Sequence, residues 1–146
     1  MADDHDRILT ELLERCRRDH HAWINGDGSP YGLPAGGSIF GGIGGYGPGG
    51  PVTSERQLEF AKRWTSGTGT VELVNGSIDG DLAWVAVIER ANVVFVGETE
   101  PQRWDLRVTE VFRREDDGEW HRVHRHADPL VDRQDFPTLF GLLPDH

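Results

Sequence analysis

The sequence predicts an α+β fold in which helices at the start of the chain cover one face of an antiparallel sheet. Apolar residues recur at three- and four-residue steps over residues 4–24, which marks an amphipathic helix. After residue 70 the pattern changes to runs rich in β-branched and aromatic residues. The turn clusters between those runs are too short for crossovers, so successive strands must pair antiparallel.

The first helix carries Ile8, Leu9, Leu12, Leu13, Cys16, His20, Trp23 and Ile24 on one stripe. Asp3, Asp4 and Asp6 suit its positive N-terminal end, and Asn25-Gly26-Asp27-Gly28 stops it. Residues 25–51 hold twelve of the 19 glycines and four of the eight prolines, interrupted by Tyr31, Leu33, Ile39, Phe40, Ile43 and Tyr46. Spaced apolar anchors favour an ordered irregular loop over a solvated linker. Gly41-Gly42-Ile43-Gly44-Gly45 lacks the Lys-Ser/Thr ending and preceding strand of a phosphate loop. A second helix is expected over 54–64, where Ser54 and Gln57 have capping-box spacing and Leu58, Ala61 and Trp64 share a face; Thr65–Gly69 should end it. Strands follow at 71–78, 81–96, 102–114 and 119–127, separated by Asp79-Gly80, residues 97–101 and Asp116-Asp117-Gly118. The tail, 131–146, holds Phe136, Leu139, Phe140, Leu142 and Leu143 and is expected to pack on the body or on a partner.

The length, 146 residues, suits one domain of roughly 100–200 residues. With 25 Asp and Glu against 15 Lys and Arg the net charge is −10, which argues against nucleic-acid binding and docking on anionic lipid. Cys16 is the single cysteine, so neither an intrachain disulfide nor a thiolate cluster forms. The start lacks the basic and apolar regions of a secretory signal, and no apolar stretch approaches the roughly 20 residues that span a bilayer. A cytoplasmic protein is the expectation.

Several stretches resemble the nuclear transport factor 2-like superfamily, in particular its SnoaL-like, DUF4440-type and ketosteroid-isomerase-like members. They are Trp23-Ile24-Asn25-Gly26-Asp27, Gly80-Asp81-Leu82-Ala83-Trp84-Val85, residues 106–114 (Leu-Arg-Val-Thr-Glu-Val-Phe-Arg-Arg) and 117–126 (Asp-Gly-Glu-Trp-His-Arg-Val-His-Arg-His). The last two match that group's closing hairpin, and the likeness covers most of residues 5–130. It implies a cone-shaped, curved, mostly antiparallel sheet wrapped around the N-terminal helices, with a pocket at the open end, and commonly a homodimer. It does not name the reaction. The steroid-isomerase pair of Tyr and carboxylate base falls on Asp19 and Gly41-Gly42, so that site is not carried over. Nor is the carboxylate–arginine set of the limonene epoxide hydrolases traced.

Candidate chemistry centres on the closing hairpin. His124 and His126, two steps apart, project to one face, expected together with Trp120 and Arg122, and imidazoles there act as general acid or base or as structural groups. Arg107 and Thr109 share a face on the neighbouring strand. One register sets them beside His126 and His124; a one-residue slip pairs Glu110 with His124, and Glu89 joins Arg107 in an even register. Asp128 can orient a histidine. A metal set of His124, His126, Asp128 and His121 fails because His121 is expected on the opposite face; no metal and no cofactor is called for. Trp23, Phe40, Tyr46, Thr109 and His20 are candidate ligand contacts, while Asp19 and His21 are expected in solvent. Tyr31, Trp84 and Trp104 are further aromatic lining or core, Cys16 is a core thiol, and the glycine-rich loop is a candidate lid. The function expected is binding of a small apolar or aromatic metabolite, with cofactor-free isomerase, cyclase or dehydratase chemistry by His124, His126, Arg107 and Asp128. The alternative is a non-catalytic binding or dimerisation module.

Overall fold

The computed structural model describes residues 2–31, 33, 37–40 and 54–143. Helix α1 (Ala2–Ile24) is followed by a 3₁₀ turn (Ser29–Tyr31), strand β1 (Ser38–Phe40) and helix α2 (Ser54–Ala61). Strands β2 (Trp64–Asp79), β3 (Leu82–Phe95), β4 (Gln102–Arg103), β5 (Leu106–Arg114) and β6 (Trp120–Pro129) come next, then the short helix α3 (Phe136–Gly141). The strands form one curved sheet in the order β1-β6-β5-β3-β2, with β4 beside β3. All pairings are antiparallel except β1 on β6, which is parallel. None of the helices is long and apolar enough to cross a membrane among the described residues.

Helix α1 ends where Asn25-Gly26 places its stop. Gly26 adopts φ +97°, and the amides of Gly26 and Asp27 return to the carbonyls of Trp23 (3.1 Å) and Ala22 (2.9 Å), closing the helix end. The stripe face of α1 lies on the sheet: Leu12 and Cys16 meet Val71, Ile78, Val85, Val87, Val108 and Phe112 in the main apolar cluster. A second cluster gathers Trp23, Ile24, Tyr31, Ala61, Trp64, Ala91 and Val93. Between them the helix stripe and the inward residues of the strands supply both cores.

Helix α2 stops at Ala61 rather than running to Trp64, and Thr65–Gly69 is strand rather than turn. The cause is tertiary. The Trp64 indole donates to the Trp23 carbonyl at 2.7 Å, which draws the residue into the aromatic core at the start of β2. Glycines 67 and 69 then let α1 settle on the strand: a Cβ at Gly67 would lie 2.6 Å from the Ile24 carbonyl oxygen, and one at Gly69 2.5 Å from that of Arg90 and 2.8 Å from His20 Cε1. Residues 102–114, expected as one strand, break at Trp104–Asp105. The Trp104 amide donates to the Ala91 carbonyl (2.9 Å) and the Asp105 carboxylate accepts from the Ala91 amide (3.2 Å). The tail does not return to the body among the described residues: Phe136, Leu139, Phe140, Leu142 and Leu143 are exposed. Of the glycine-rich segment, the 3₁₀ turn and β1 are ordered elements. The lid proposal, Tyr46 and the Gly41–Gly45 run lie outside the described residues.

The close approach of α1 and β2 makes a prediction. Gly69→Ala must displace backbone on one side or the helix on the other, and is expected to destabilise the fold by about 1–3 kcal/mol in urea unfolding. A change below a few tenths of a kcal/mol would show that the helix does not rest on this strand.

Candidate functional site

One irregularity in the closing hairpin decides which side chains enter the interior. The pairing Val111 with His124 is followed by Phe112 with Arg122, so Val123 is an extra residue in β6, a β-bulge. Across the bulge the alternation resets. Arg122 and Arg125, three apart and therefore expected on opposite faces, both turn inward, and both are buried. His121, His124 and His126 take the outer side. The expected grouping of His124 and His126 with Trp120 and Arg122 is thus corrected, as is the expected separation of His121 from them.

Inside, the two guanidiniums meet three acids. Arg122 donates from Nε to Glu110 (2.6 Å) and from Nη1 to Asp19 (2.9 Å) and the Pro30 carbonyl (3.1 Å). Arg125 donates from Nη1 to the other Glu110 oxygen (2.6 Å) and, in a fork, from Nη1 and Nη2 to Glu89 (2.9 and 3.0 Å). Glu110 therefore bridges both arginines while 0 % exposed. The Tyr31 ring lies against both guanidiniums, with centroid distances of 4.8 Å to Arg122 and 4.4 Å to Arg125. Asp19, expected in solvent, is buried against Arg122; His21 is exposed as expected. Glu89 and Glu110 join neither Arg107 nor His124: their inward positions give them to Arg125 and Arg122.

Electrostatics fix the protonation of this lattice. Burial opposes the ionised form of Glu110, but Arg122 and Arg125 outweigh it and hold the carboxyl below its usual range. Burial also opposes the charged guanidiniums, and the acids overcome it, so both arginines stay protonated. Burial, with Glu110, raises the Cys16 thiol, which keeps it a protonated donor to Glu110 (3.7 Å) rather than a nucleophile. Burial, with Glu89, raises Tyr31 well above its ordinary value, so its hydroxyl remains a donor. His20 is pushed down, chiefly by burial, and is neutral near pH 7; its Nε2 stands 4.0 Å from Glu89, too far to bond.

Beside the lattice stands an aromatic wall. Trp23 stacks on Phe60 (5.8 Å) and meets Tyr31 edge-on (5.6 Å), while Trp104 packs on Phe40 (5.8 Å) and Trp64 (5.5 Å). Five buried polar atoms have no hydrogen-bond partner among the described residues: Tyr31 Oη, Arg122 Nη2, His20 Nε2 and the indole nitrogens of Trp23 and Trp104. Three of these, the guanidinium nitrogen and the indoles, are donors only.

The remaining sequence candidates lie on the outer face. Thr109 pairs with His126 and Arg107 with Asp128, on the expected shared face but shifted by one step of the alternation. These four, with Val74, Ala86 and Ile88, line an open depression of about 380 Å³. His126 Nε2 stands 3.2 Å from an Asp128 carboxylate oxygen, and both side chains are more than two-fifths exposed. His124 is half-buried opposite Val111, outside the depression; His121 turns to Asp117 at 2.8 Å. Trp23, Phe40 and His20 face the interior.

Glu110→Gln leaves Arg122 and Arg125 without a shared anion and is expected to cost about 3–5 kcal/mol. The pH dependence has a defined sign. A carboxyl with a depressed folded pKa stabilises the fold above its unfolded value, near 4.5, and that stabilisation disappears as pH falls through the folded value. The variant should therefore lose less stability than the parent below pH 4.5. A parallel pH profile for both proteins would contradict the buried pairing.

A family model for the SnoaL-like domain matches residues 46–132. No curated protein matches the chain. Solved structures share the fold at low identity. A nuclear transport factor 2-like superfamily protein from Salmonella enterica superposes with a TM-score of 0.65 at 14% identity over 88% of this chain and 95% of that one. A candidate dehydratase from Streptomyces avermitilis gives 0.59 at 17% identity, over 90% and 99%. A ketosteroid isomerase-like protein from Erwinia carotovora gives 0.61 at 10% identity, over 84% and 96%. With the matched family model over most of the chain, the protein belongs to the SnoaL-like domain family, and its helix-covered curved sheet is the fold of the nuclear transport factor 2-like structures.

Proposed function

We propose that the chain binds a small apolar or aromatic molecule carrying a neutral acceptor oxygen, in the interior beside Tyr31. The observation behind this reading is the set of buried hydrogen-bonding atoms without partners among the described residues around that ring, the Tyr31 hydroxyl, Arg122 Nη2 and the Trp23 indole. A buried donor left unsatisfied costs about 1–3 kcal/mol, and a ligand oxygen that accepts from these groups removes that cost. The aromatic wall supplies area for a planar ring. The interior guanidiniums already face three carboxylates, which leaves no uncompensated positive charge to draw an anion.

Cofactor-free proton transfer is the second reading, and His20 favours it. It is a neutral imidazole with an unpartnered Nε2 beside the same cluster, suited to move a proton while Tyr31 and Arg122 stabilise charge on the ligand oxygen. The names of the relatives, dehydratase and isomerase-like, support ring chemistry only by analogy of fold. The histidines of the closing hairpin then serve the outer face. A homodimer fits there too, since Val74, Leu82 and Trp84 are exposed on the sheet; a monomeric sedimentation profile at micromolar concentration would remove it.

Tryptophan fluorescence with tetralone, a neutral bicyclic ketone, against naphthoate, its anionic counterpart in shape, tests the binding reading. Tetralone should bind more tightly, and Tyr31→Phe should weaken it about tenfold, the worth of one hydrogen bond. His124→Ala and His126→Ala should leave affinity unchanged. Preference for naphthoate, or indifference to Tyr31→Phe, would contradict the reading. For proton transfer, deuterium exchange at the ketone α-carbon should vanish in His20→Gln while binding persists; exchange that survives this change would end the second reading.

A further inference from the structure

Strand β2 is the outer edge of the sheet. Which of its residues turn their backbone outward follows from the register. The Val96 amide donates to the Arg63 carbonyl (2.8 Å), and Val94, Asn92, Arg90 and Ile88 continue that row toward β2, whereas Ala91 bonds on the opposite side to Trp104 and Asp105. Their partners on β2 are Ser66, Thr68, Thr70 and Glu72. The residues between them, Gly67, Gly69, Val71 and Leu73, point N–H and C=O away from the sheet. Side-chain amides close this edge at two places. Asn25 both donates to the Gly67 carbonyl and accepts from its amide, at 3.2 Å each, as a neighbouring strand would. Asn75 accepts from the Gly76 amide at 2.8 Å. Between these two plugs the outward groups of Gly69, Val71 and Leu73 have no partner among the described residues.

Helix α1 overhangs the open stretch. Arg17, His20 and His21 from the helix and Gly69, Thr70 and Val71 from the strand line a groove of about 290 Å³. A groove between a helix and an unpaired strand edge is the geometry into which an extended segment adds as one more strand. On a chain of net charge −10 the rim of this groove is basic: Arg17 and His21 line it from the helix, Arg17 carries only an exposed pair with Glu14 (2.6 Å), and the intervening carboxylate, Asp19, is held by Arg122 (2.9 Å) and Arg18 (3.9 Å).

We propose that this groove docks an extended acidic peptide segment of another protein, which pairs with Gly69, Val71 and Leu73 and sets a carboxylate against Arg17 and His21. A second copy of the chain fits less well. Because α1 lies over β2, edge-to-edge pairing would bring two helices to about one strand spacing, ~4.8 Å, where packed helices need about 8–10 Å.

The test uses the whole chain and a capped heptapeptide of alternating Glu and Val, with amide exchange read at Gly69, Val71 and Leu73. The peptide should slow exchange at these three amides about tenfold or more, leaving Thr68, Thr70 and Glu72 protected as before. A Lys/Val counterpart and the Arg17→Glu/His21→Glu variant should each weaken binding about fivefold, and N-methylation of the peptide's docking amides should abolish it. No protection at millimolar peptide, or equal protection by the Lys/Val peptide, would overturn the proposal. So would protection that rises with protein concentration alone, which would give the edge to a second copy.

Discussion

The interior depends on one extra residue. Val123 opens the pairing of β5 and β6, and without it Arg122 and Arg125 could not share a face. With both inside, Glu110 is held between two guanidiniums, Glu89 is gripped in a fork and Asp19 is tied from α1 to β6. The lattice thereby joins the helix, the 3₁₀ turn through Pro30, and three strands. It also fixes where Tyr31 lies, since the ring rests on both cations. Remove the bulge, and the same sequence would turn one arginine into water and one acid into an unpaired buried charge.

Such a lattice is a poor device for stability alone. Taking five charges out of water costs several kcal/mol per ion, and well-packed apolar residues commonly serve a core as well or better. What the lattice does provide is a set of donors and acceptors held in fixed orientation in a buried interior. The orphaned atoms lie at its margin: Arg122 Nη2, the Tyr31 hydroxyl and His20 Nε2. On the proposed reading, stability and binding share parts. Glu110 and Arg125 hold the frame, whereas Tyr31 and His20 retain hydrogen-bonding capacity that the fold leaves unused.

Much of the fold was legible in the sequence because local rules and tertiary packing agree there. The α1 stripe, the Asn25-Gly26 stop and the turn at 116–118 stand where pattern and turn chemistry put them, and the turn expected at Asp79-Gly80 falls one residue on, at Gly80-Asp81. Trp64 and Thr65–Gly69 did not, because an aromatic core and close approach by α1 override local propensity. The interior site was legible in part. Glu89 and Glu110 each interrupt an otherwise apolar alternation, Val85-Val87-Glu89-Ala91-Val93 and Leu106-Val108-Glu110-Phe112, and Asp19 sits beside Cys16 and His20 on the helix stripe. Acids in such positions require buried cations. The cations themselves were hidden, since strict alternation through 120–128 groups Arg122 with the histidines, and nothing in the sequence marks Val123 as the residue that breaks it.

The direct measurement is therefore of side-chain neighbours in the closing strand. In proton NMR at neutral pH, the guanidinium protons of Arg122 and Arg125 should exchange slowly and show nuclear Overhauser contacts to the Tyr31 ring, with no such contact from the imidazoles of His124 or His126. Contacts from either imidazole to Tyr31, with fast-exchanging guanidinium protons on Arg125, would mean that β6 keeps a regular alternation and that the interior is built from different groups.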